Sequence, residues 1–409
     1  MKFTSYNIDP EIKKSISESG FTRPTDIQFK AIPPILNGED VLAIAQTGTG
    51  KTAAFAIPVL HRLYSSSRQV GASGIRCLVM VPTRELALQI TDVIIQLAQH
   101  TSIRTSSVFG GVEQDPQIAA LLSGEDILVA TPGRMFDLVS QGFLKLANLE
   151  ILILDEADHM LDLGFIGDIR QLIRFLPKKR QTLFFSATIS PEIKKLAYSL
   201  VINPIRIQVS PRDPVAKNVD HSVAFISMDD KRFFLERLIR ENPGSKILVF
   251  VRTRVRAERV CKALERAEIK SYTIHGDKDQ QERLKVMKLF KNNEIQVLIA
   301  TDVSARGIDV ASVEYVVNYD LPDKVENYVH RIGRTGRGNH RGKAVSFCSP
   351  EERELLESIS EYIGKDIQEL KIDRKEYAET LDFSVVVESD WKKLLLEDEK
   401  TPNRKKRKR

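Results

Sequence analysis

The chain has 409 residues, 42% of them hydrophobic and 28% charged, a length and balance that suit two globular domains of ordinary size. Its net charge of +6 is concentrated in one place: Arg404–Arg409 supply six of the 61 basic residues, and the rest of the chain carries 55 of each sign. No apolar stretch nears the ~20 residues of a membrane span, the segment Met1-Lys2-Phe3-Thr4-Ser5-Tyr6-Asn7 lacks the apolar core of a signal peptide, and the isolated Cys77, Cys261 and Cys348 form no CxxC pair, which points to a reducing cytoplasm.

In chain order, Asp9 is placed to cap a helix with Pro10 at its first position and Gly20 just past its end. Thr25-Asp26-Ile27-Gln28 reads as a capping box opening a second helix. Short β-branched runs then alternate with helical stretches, the pattern of a parallel sheet covered on both faces. The predicted strands are Val41–Ala45, Cys77–Val81, Ser106–Phe109, Ile127–Ala130, Ile151–Leu154, Thr182–Phe185 and Ile205–Val209. Ser210-Pro211-Arg212-Asp213-Pro214 is polar and proline-bearing, and marks a linker over 210–220. The alternation restarts with Lys246–Val251, Ser271–Ile274, Val297–Thr301, Val313–Asn318 and Lys343–Cys348. A helix is predicted from Glu351 to about Tyr362, ending near Gly364, and Asp390 could cap an amphipathic turn carrying Trp391, Leu394 and Leu395. The expected organisation is a first α/β domain over 1–209, a second over 221–365, a cleft between them, and an extension over 366–409.

Two segments carry chemistry. Ala45-Gln46-Thr47-Gly48-Thr49-Gly50-Lys51-Thr52 follows a strand and opens a helix. Gly48 and Gly50 let backbone N–H groups approach phosphates, Lys51 adds a mobile charge, and the Thr52 hydroxyl can ligate Mg²⁺. Asp155-Glu156-Ala157-Asp158 closes the apolar run Ile151–Leu154, which delivers carboxylates to the carboxyl end of a buried strand. Asp155 there would hold Mg²⁺ and Glu156 would orient or deprotonate an attacking water. The plainer alternative is an acidic helix start, which accounts for one carboxylate but less well for three in four residues. Spacing alone makes Gln28 a helix cap, with adenine recognition beside a stacking Phe21 as the other reading. His159 is expected on a helix surface.

Gly20-Phe21-Thr22-Arg23-Pro24-Thr25-Asp26-Ile27-Gln28 resembles the Q motif of DEAD-box RNA helicases, and Phe3 stands where their isolated upstream aromatic does. Further motifs of that family follow in order: Pro82-Thr83-Arg84-Glu85-Leu86-Ala87, Gly110-Gly111, Thr131-Pro132-Gly133-Arg134, the DEAD stretch 155–158 and Ser186-Ala187-Thr188. The second half adds Val249-Phe250-Val251-Arg252-Thr253, Gln280-Gln281-Glu282-Arg283, the run from Ala300 to Asp309, and His330-Arg331-Ile332-Gly333-Arg334-Thr335-Gly336-Arg337. The resemblance covers roughly 3–364, and Ala45 is what the family usually carries at that position. It implies two tandem RecA-like domains, each a mainly parallel sheet flanked by helices, closing around ATP, Mg²⁺ and single-stranded RNA. On that resemblance, Gln28 and Phe21 read adenine, while Gln46, Thr47, Gly48, Thr49, Gly50, Lys51 and Thr52 bind phosphate and, through Thr52 with Asp155, the metal. Gly307 and Asp309 reach the nucleotide from the second domain. Arg334 and Arg337 resemble arginine fingers, and Ser186, Thr188, Asp158, His330 and Arg331 couple the site to domain closure.

Thr83, Arg84, Gly111, Thr131, Gly133 and Arg134, with Arg252, Thr253, Gly276, Arg283 and Thr301, resemble the family's RNA-backbone contacts; singly, Arg84 or Arg134 could be a surface ion pair. The segments around Arg252 and His275 look most like the bacterial RhlE-like branch. The implied activity is RNA-stimulated ATP hydrolysis that unwinds short duplexes or remodels ribonucleoproteins, with an ATP-gated RNA clamp as the alternative. A DNA translocase fits the motifs less well. The protein is expected to be a monomer working on single-stranded or duplex RNA, off the membrane, with ribosome-assembly or RNA-decay proteins as partners. The basic tail reads as a nonspecific RNA tether or a solubilising end.

Overall fold

The computed structural model describes residues 2–46, 48–66, 74–209, 215, 218–302, 313–336 and 341–382. The chain divides into two compact units, with the main break between Pro214 and Val215.

In the first unit, strands β1 (Val41–Ala45), β2 (Cys77–Met80), β3 (Thr105–Val108), β4 (Ile127–Ala130), β5 (Ile151–Leu154), β6 (Gln181–Ser186) and β7 (Ile205–Val209) form one sheet in the order β3-β4-β2-β5-β6-β1-β7. Every pairing is parallel, and Met80 stands opposite both Ala130 and Leu154, so these strands end level with one another. The inner strands β1, β2, β4 and β5 are near-continuous apolar runs because helices cover both faces, whereas the edge strands β3 and β7 are more polar. Alternate residues split between two cores: Val41, Ala43, Val79, Ile153 and Phe185 face the helices Pro10–Glu18, Asp26–Leu36, Lys51–Ser65 and Arg84–Ala98. Leu42, Leu78, Leu152 and Phe184 face Pro132–Ser140, Ile166–Leu172 and Pro191–Leu200. Burying each such aliphatic or aromatic side chain stabilises the unit by about 1.5–3 kcal/mol, which holds the level strand ends in place beneath the loops that follow them.

The second unit repeats the plan. Strands β8 (Val219–Phe225), β9 (Ile247–Phe250), β10 (Ser271–Ile274), β11 (Val297–Ala300), β12 (Tyr315–Asn318), β13 (Gly342–Cys348) and β14 (Gln368–Glu369) form a parallel sheet in the order β10-β11-β9-β12-β13-β8-β14. Two of these strands, β8 and β14, have no counterpart among the predicted elements. The helix predicted from Glu351 starts as a 3₁₀ turn, Pro350–Glu352, and runs as Arg353–Ile363 to Gly364 at φ +76°.

The unit also continues past residue 365, where the sequence suggested an end. After β14, the Tyr377 ring lies 4.9 Å from that of Phe234, and its hydroxyl donates to Asp230 Oδ2 at 2.7 Å. Arg237 donates to Thr380 Oγ1 at 2.8 Å. These contacts pack Tyr377 and Thr380 of the extension against the helix Lys231–Glu241 and the residue before it. The turn around Trp391, most of the predicted linker and the basic tail lie outside the described residues.

Candidate nucleotide and nucleic-acid site

β1 ends at Ala45, and the chain passes Gly48 at φ +78° and Gly50 at φ +91° before the helix Lys51–Ser65 begins. Both glycines occupy the left-handed region where a Cβ is strained. Lys51 is buried and its Nζ donates to Ala45 O at 3.1 Å, which folds the ammonium back over the loop. Thr49 Oγ1 donates to Gln46 O at 2.8 Å. The first-turn N–H groups of this 15-residue helix give the loop a positive end suited to phosphate.

Gln28 is buried beneath the loop. Its Oε1 accepts from Thr25 N–H at 2.9 Å, closing the capping box, and its Nε2 donates to Gly50 O at 3.1 Å. Thr25 Oγ1 donates to Thr49 O at 2.8 Å. The cap and the phosphate loop are therefore one hydrogen-bonded assembly. Phe21 is half-buried, its ring edge-on to Phe3 at 6.2 Å.

Asp155 follows β5 and is 3% exposed. Its Oδ1 accepts from Glu156 N–H at 2.9 Å. Its carboxyl is raised to about 6, chiefly by burial, with Lys51 and the Glu156 N–H opposing the rise and the Glu156 and Asp158 charges adding to it. Such a carboxylate suits a cation. Among the described residues, no three His, Cys, Asp or Glu side chains gather to hold a metal by themselves. Mg²⁺ carried with nucleotide phosphates needs only one or two carboxylates, so the Asp155 carboxylate, which feels the Lys51 charge at the start of the helix that also carries Thr52, fits it.

Glu156 adopts φ 51°, ψ 48° and caps the short helix Ala157–Asp162. Asp158 Oδ2 accepts from Thr188 N–H at 3.0 Å and from its Oγ1 at 3.1 Å, which ties the carboxylate stretch to the turn after β6. Ser186 ends β6 fully buried, its Oγ without a hydrogen-bond partner. His159 departs from expectation. It is 4% exposed rather than on the helix surface, with Nδ1 3.4 Å from Glu156 Oε2. A six-residue helix entered through a left-handed residue does not keep the face assignments of a regular one.

The RNA candidates of the first unit lie on the other half of the same sheet edge. Thr83 follows β2 and caps the helix Arg84–Ala98, its Oγ1 accepting from Leu86 N–H at 3.3 Å. Gly111 follows β3 at φ +77°, where a Cβ would overlap the Arg84 guanidinium. Thr131 follows β4, Gly133 is exposed, and Arg134 Nη2 donates to Val112 O at 3.0 Å while its buried Nη1 has no hydrogen-bond partner. Burial lowers the Arg84 pKa and Arg134 lowers it further, with Glu85 pulling it back. Two guanidiniums held this way, beside β2, β4 and β3, offer donors of the kind that suit phosphate oxygens. The nucleotide residues follow β1, β5 and β6, so the sheet order separates the two sets by half-sheet.

In the second unit, Gly276, Thr301 and Arg252 follow β10, β11 and β9, the corresponding half. Thr253 caps the helix Arg254–Arg266, its Oγ1 accepting from Arg256 N–H at 3.2 Å. The Arg252 guanidinium is already engaged, 3.0 Å from Glu352 Oε1 and 3.0 Å from Asp323 Oδ1. Arg283 is half-buried on the helix Gln280–Lys291. Arg331 is a strut inside this unit: it grips Asp302 through Nε at 2.5 Å and Nη2 at 2.8 Å, and Asp320 O through Nη1 at 2.7 Å. His330 ends the same helix, Val325–Ile332, and the buried Arg334 donates from Nε to its carbonyl at 3.2 Å. Thr47, Gly307, Asp309 and Arg337 lie outside the described residues.

Residues 25–196 match the DEAD/DEAH box helicase family, and residues 230–339 match the helicase conserved C-terminal domain. The chain is 40% identical over 377 residues to the ATP-dependent RNA helicase RhlB of Shewanella oneidensis, covering 91% of this chain and 86% of that one. It is 39% identical over 370 residues to the ATP-dependent RNA helicase CshA of Listeria monocytogenes, covering 90% and 70%. These relatives do not single out the RhlE-like branch. Among solved structures, S. cerevisiae Dbp5 bound to RNA and ADP BeF3 superposes with a TM-score of 0.80 at 30% identity, covering 94% of this chain and 99% of that one. With its strand order, its phosphate loop and its DEAD stretch at the end of β5, the chain belongs to the DEAD/DEAH box helicase family.

Proposed function

We propose that the protein is an ATP-dependent RNA helicase that grips single-stranded RNA by its backbone and uses ATP hydrolysis to separate short duplexes or remodel ribonucleoproteins. The observation that carries this reading is the division of one sheet edge: phosphate loop and the DEAD carboxylates, Asp155 buried, after β1 and β5, guanidiniums after β2 and β4. Lys51 and the loop N–H groups bind the phosphates, Thr52 and Asp155 would hold Mg²⁺, and Glu156 takes the proton from the attacking water. Gln28 and Phe21 select adenine. Arg334 and Arg337 stabilise charge on the transferring phosphoryl group. Bound Mg²⁺ supplies charge neutralisation at the phosphates. Backbone-directed contacts from Thr83, Arg84 and Arg134 give affinity without sequence preference. We place this work in the cytoplasm, with RNA as the partner and a monomer as the working form.

The test is ATP hydrolysis with RNA or with DNA of the same sequence, alongside displacement of a short labelled RNA strand. RNA should stimulate and DNA should not, and Lys51→Ala should abolish both activities by weakening ATP binding. Equal stimulation by DNA, or unchanged ATP affinity in Lys51→Ala, would overturn the reading.

A further inference from the structure

We propose that His159 is a positioning residue for hydrolysis: its Nδ1–H orients the Glu156 carboxylate that receives the proton of the attacking water. The proposal rests on the reading of Glu156 as the water-activating group and adds the residue that aims it. His159 Nδ1 lies 3.4 Å from Glu156 Oε2, and the two side chains are 5% and 12% exposed. A glutamate has three rotatable side-chain bonds, and proton transfer requires one geometry among many. Two restraints narrow that choice here. The left-handed backbone at Glu156, a conformation that a residue with a Cβ seldom adopts, fixes where the side chain starts. The imidazole three residues on meets it where it ends.

The tautomer follows from what surrounds the ring. His159 Nε2 is buried and has no hydrogen-bond partner. A proton there would be a stranded donor, whereas an unprotonated Nε2 leaves the hydrogen on Nδ1, facing the carboxylate. Asp158, the nearest competing carboxylate along the chain, is turned away to Thr188. At 3.4 Å the bond is long, as such contacts commonly are before substrate binds.

Three variants test this by single-turnover hydrolysis, which isolates chemistry from product release. His159→Leu removes the donor while keeping bulk, and should slow hydrolysis about tenfold with ATP affinity unchanged. His159→Asn, whose amide nitrogen stands close to the place of Nδ1, should keep most of the rate. Combined with Glu156→Gln, His159→Leu should slow hydrolysis no further. Should His159→Leu fail to fold, His159→Asn against His159→Gln makes the same comparison, the glutamine amide reaching past Glu156 and giving the slow enzyme. Wild-type hydrolysis in His159→Leu, or His159→Asn as slow as His159→Leu with normal ATP binding, overturns the proposal. Near-wild-type hydrolysis in Glu156→Gln would be a different failure, that of Glu156 itself.

Discussion

Gly50 meets two constraints at once. Its φ of +91° is strained for any residue with a Cβ, and that Cβ would lie 2.5 Å from Gln28 Nε2. Gly50→Ala should therefore disturb the Gln28 bridge and weaken ATP binding, with a loss of stability on the order of 1–2 kcal/mol from the backbone alone. Pairing it with Gln28→Ala separates the causes. If the clash matters, the double variant loses less than the sum of the singles in thermal unfolding; additive losses would place the strain in φ alone. Arg334→Ala should cut turnover by ~10³–10⁵, the range for arginine fingers, with a much smaller change in ATP affinity. Equal losses in both would contradict the assignment. At this scale the sequence was informative where function lies in contiguous motifs, as at Lys51 and Asp155. It was silent on Arg252, because spacing cannot show that Glu352 and Asp323 return from far along the chain to occupy its guanidinium.

Elements were legible where short apolar or β-branched patterns stop at clear turn signals, whether fully buried as in β1 or largely exposed as in β7. β1, β4, β5, β7 and β10 have the predicted bounds because aliphatic or β-branched runs end at polar turns. β8 escaped because Asp220, His221 and Ser222 interrupt its pattern, and two-residue β14 is recognisable only by its pairing with Ser222 and Val223. The loop after β10 shows what such an element carries. Glu258, on the helix Arg254–Arg266, takes hydrogen bonds from His275 Nε2 at 2.7 Å and Thr273 Oγ1 at 2.8 Å, with Lys278 Nζ at 3.4 Å. The His275 hydrogen bond leads in holding its carboxyl down to about 2, against an opposing push from burial, with Thr273 and Lys278 adding to the fall. A depressed carboxylate stabilises the fold above its unfolded pKa, and that contribution is lost as pH falls from about 4.5 through about 2. Glu258→Gln should be less stable at neutral pH and show a shallower decline below pH 4.5 in urea unfolding. An unchanged slope in that window would mean that the cluster does not hold this charge in solution.

At the scale of the whole molecule, charge is divided as sharply as the sheet edges are. The chain without Arg404–Arg409 has 55 basic and 55 acidic residues, so RNA attraction by the folded units depends on local patches such as Arg84 with Arg134. On the proposed reading, saturating RNA at those patches should trigger hydrolysis without the tail. The six tail charges, which lie outside the described residues, act on a polyanion by releasing counterions wherever they touch it. Deleting Arg404–Arg409 should leave ATPase at saturating RNA intact while lowering apparent RNA affinity. The salt dependence should also flatten, its log–log slope changing by about 0.7 for each single-strand phosphate that the tail no longer neutralises. A tail that engages some of its charges at a time gives a partial change in slope. RNA titrations at several salt concentrations measure both quantities, and if affinity and slope stay where they were, the tail is a solubilising end and the patches on the two units carry all the binding.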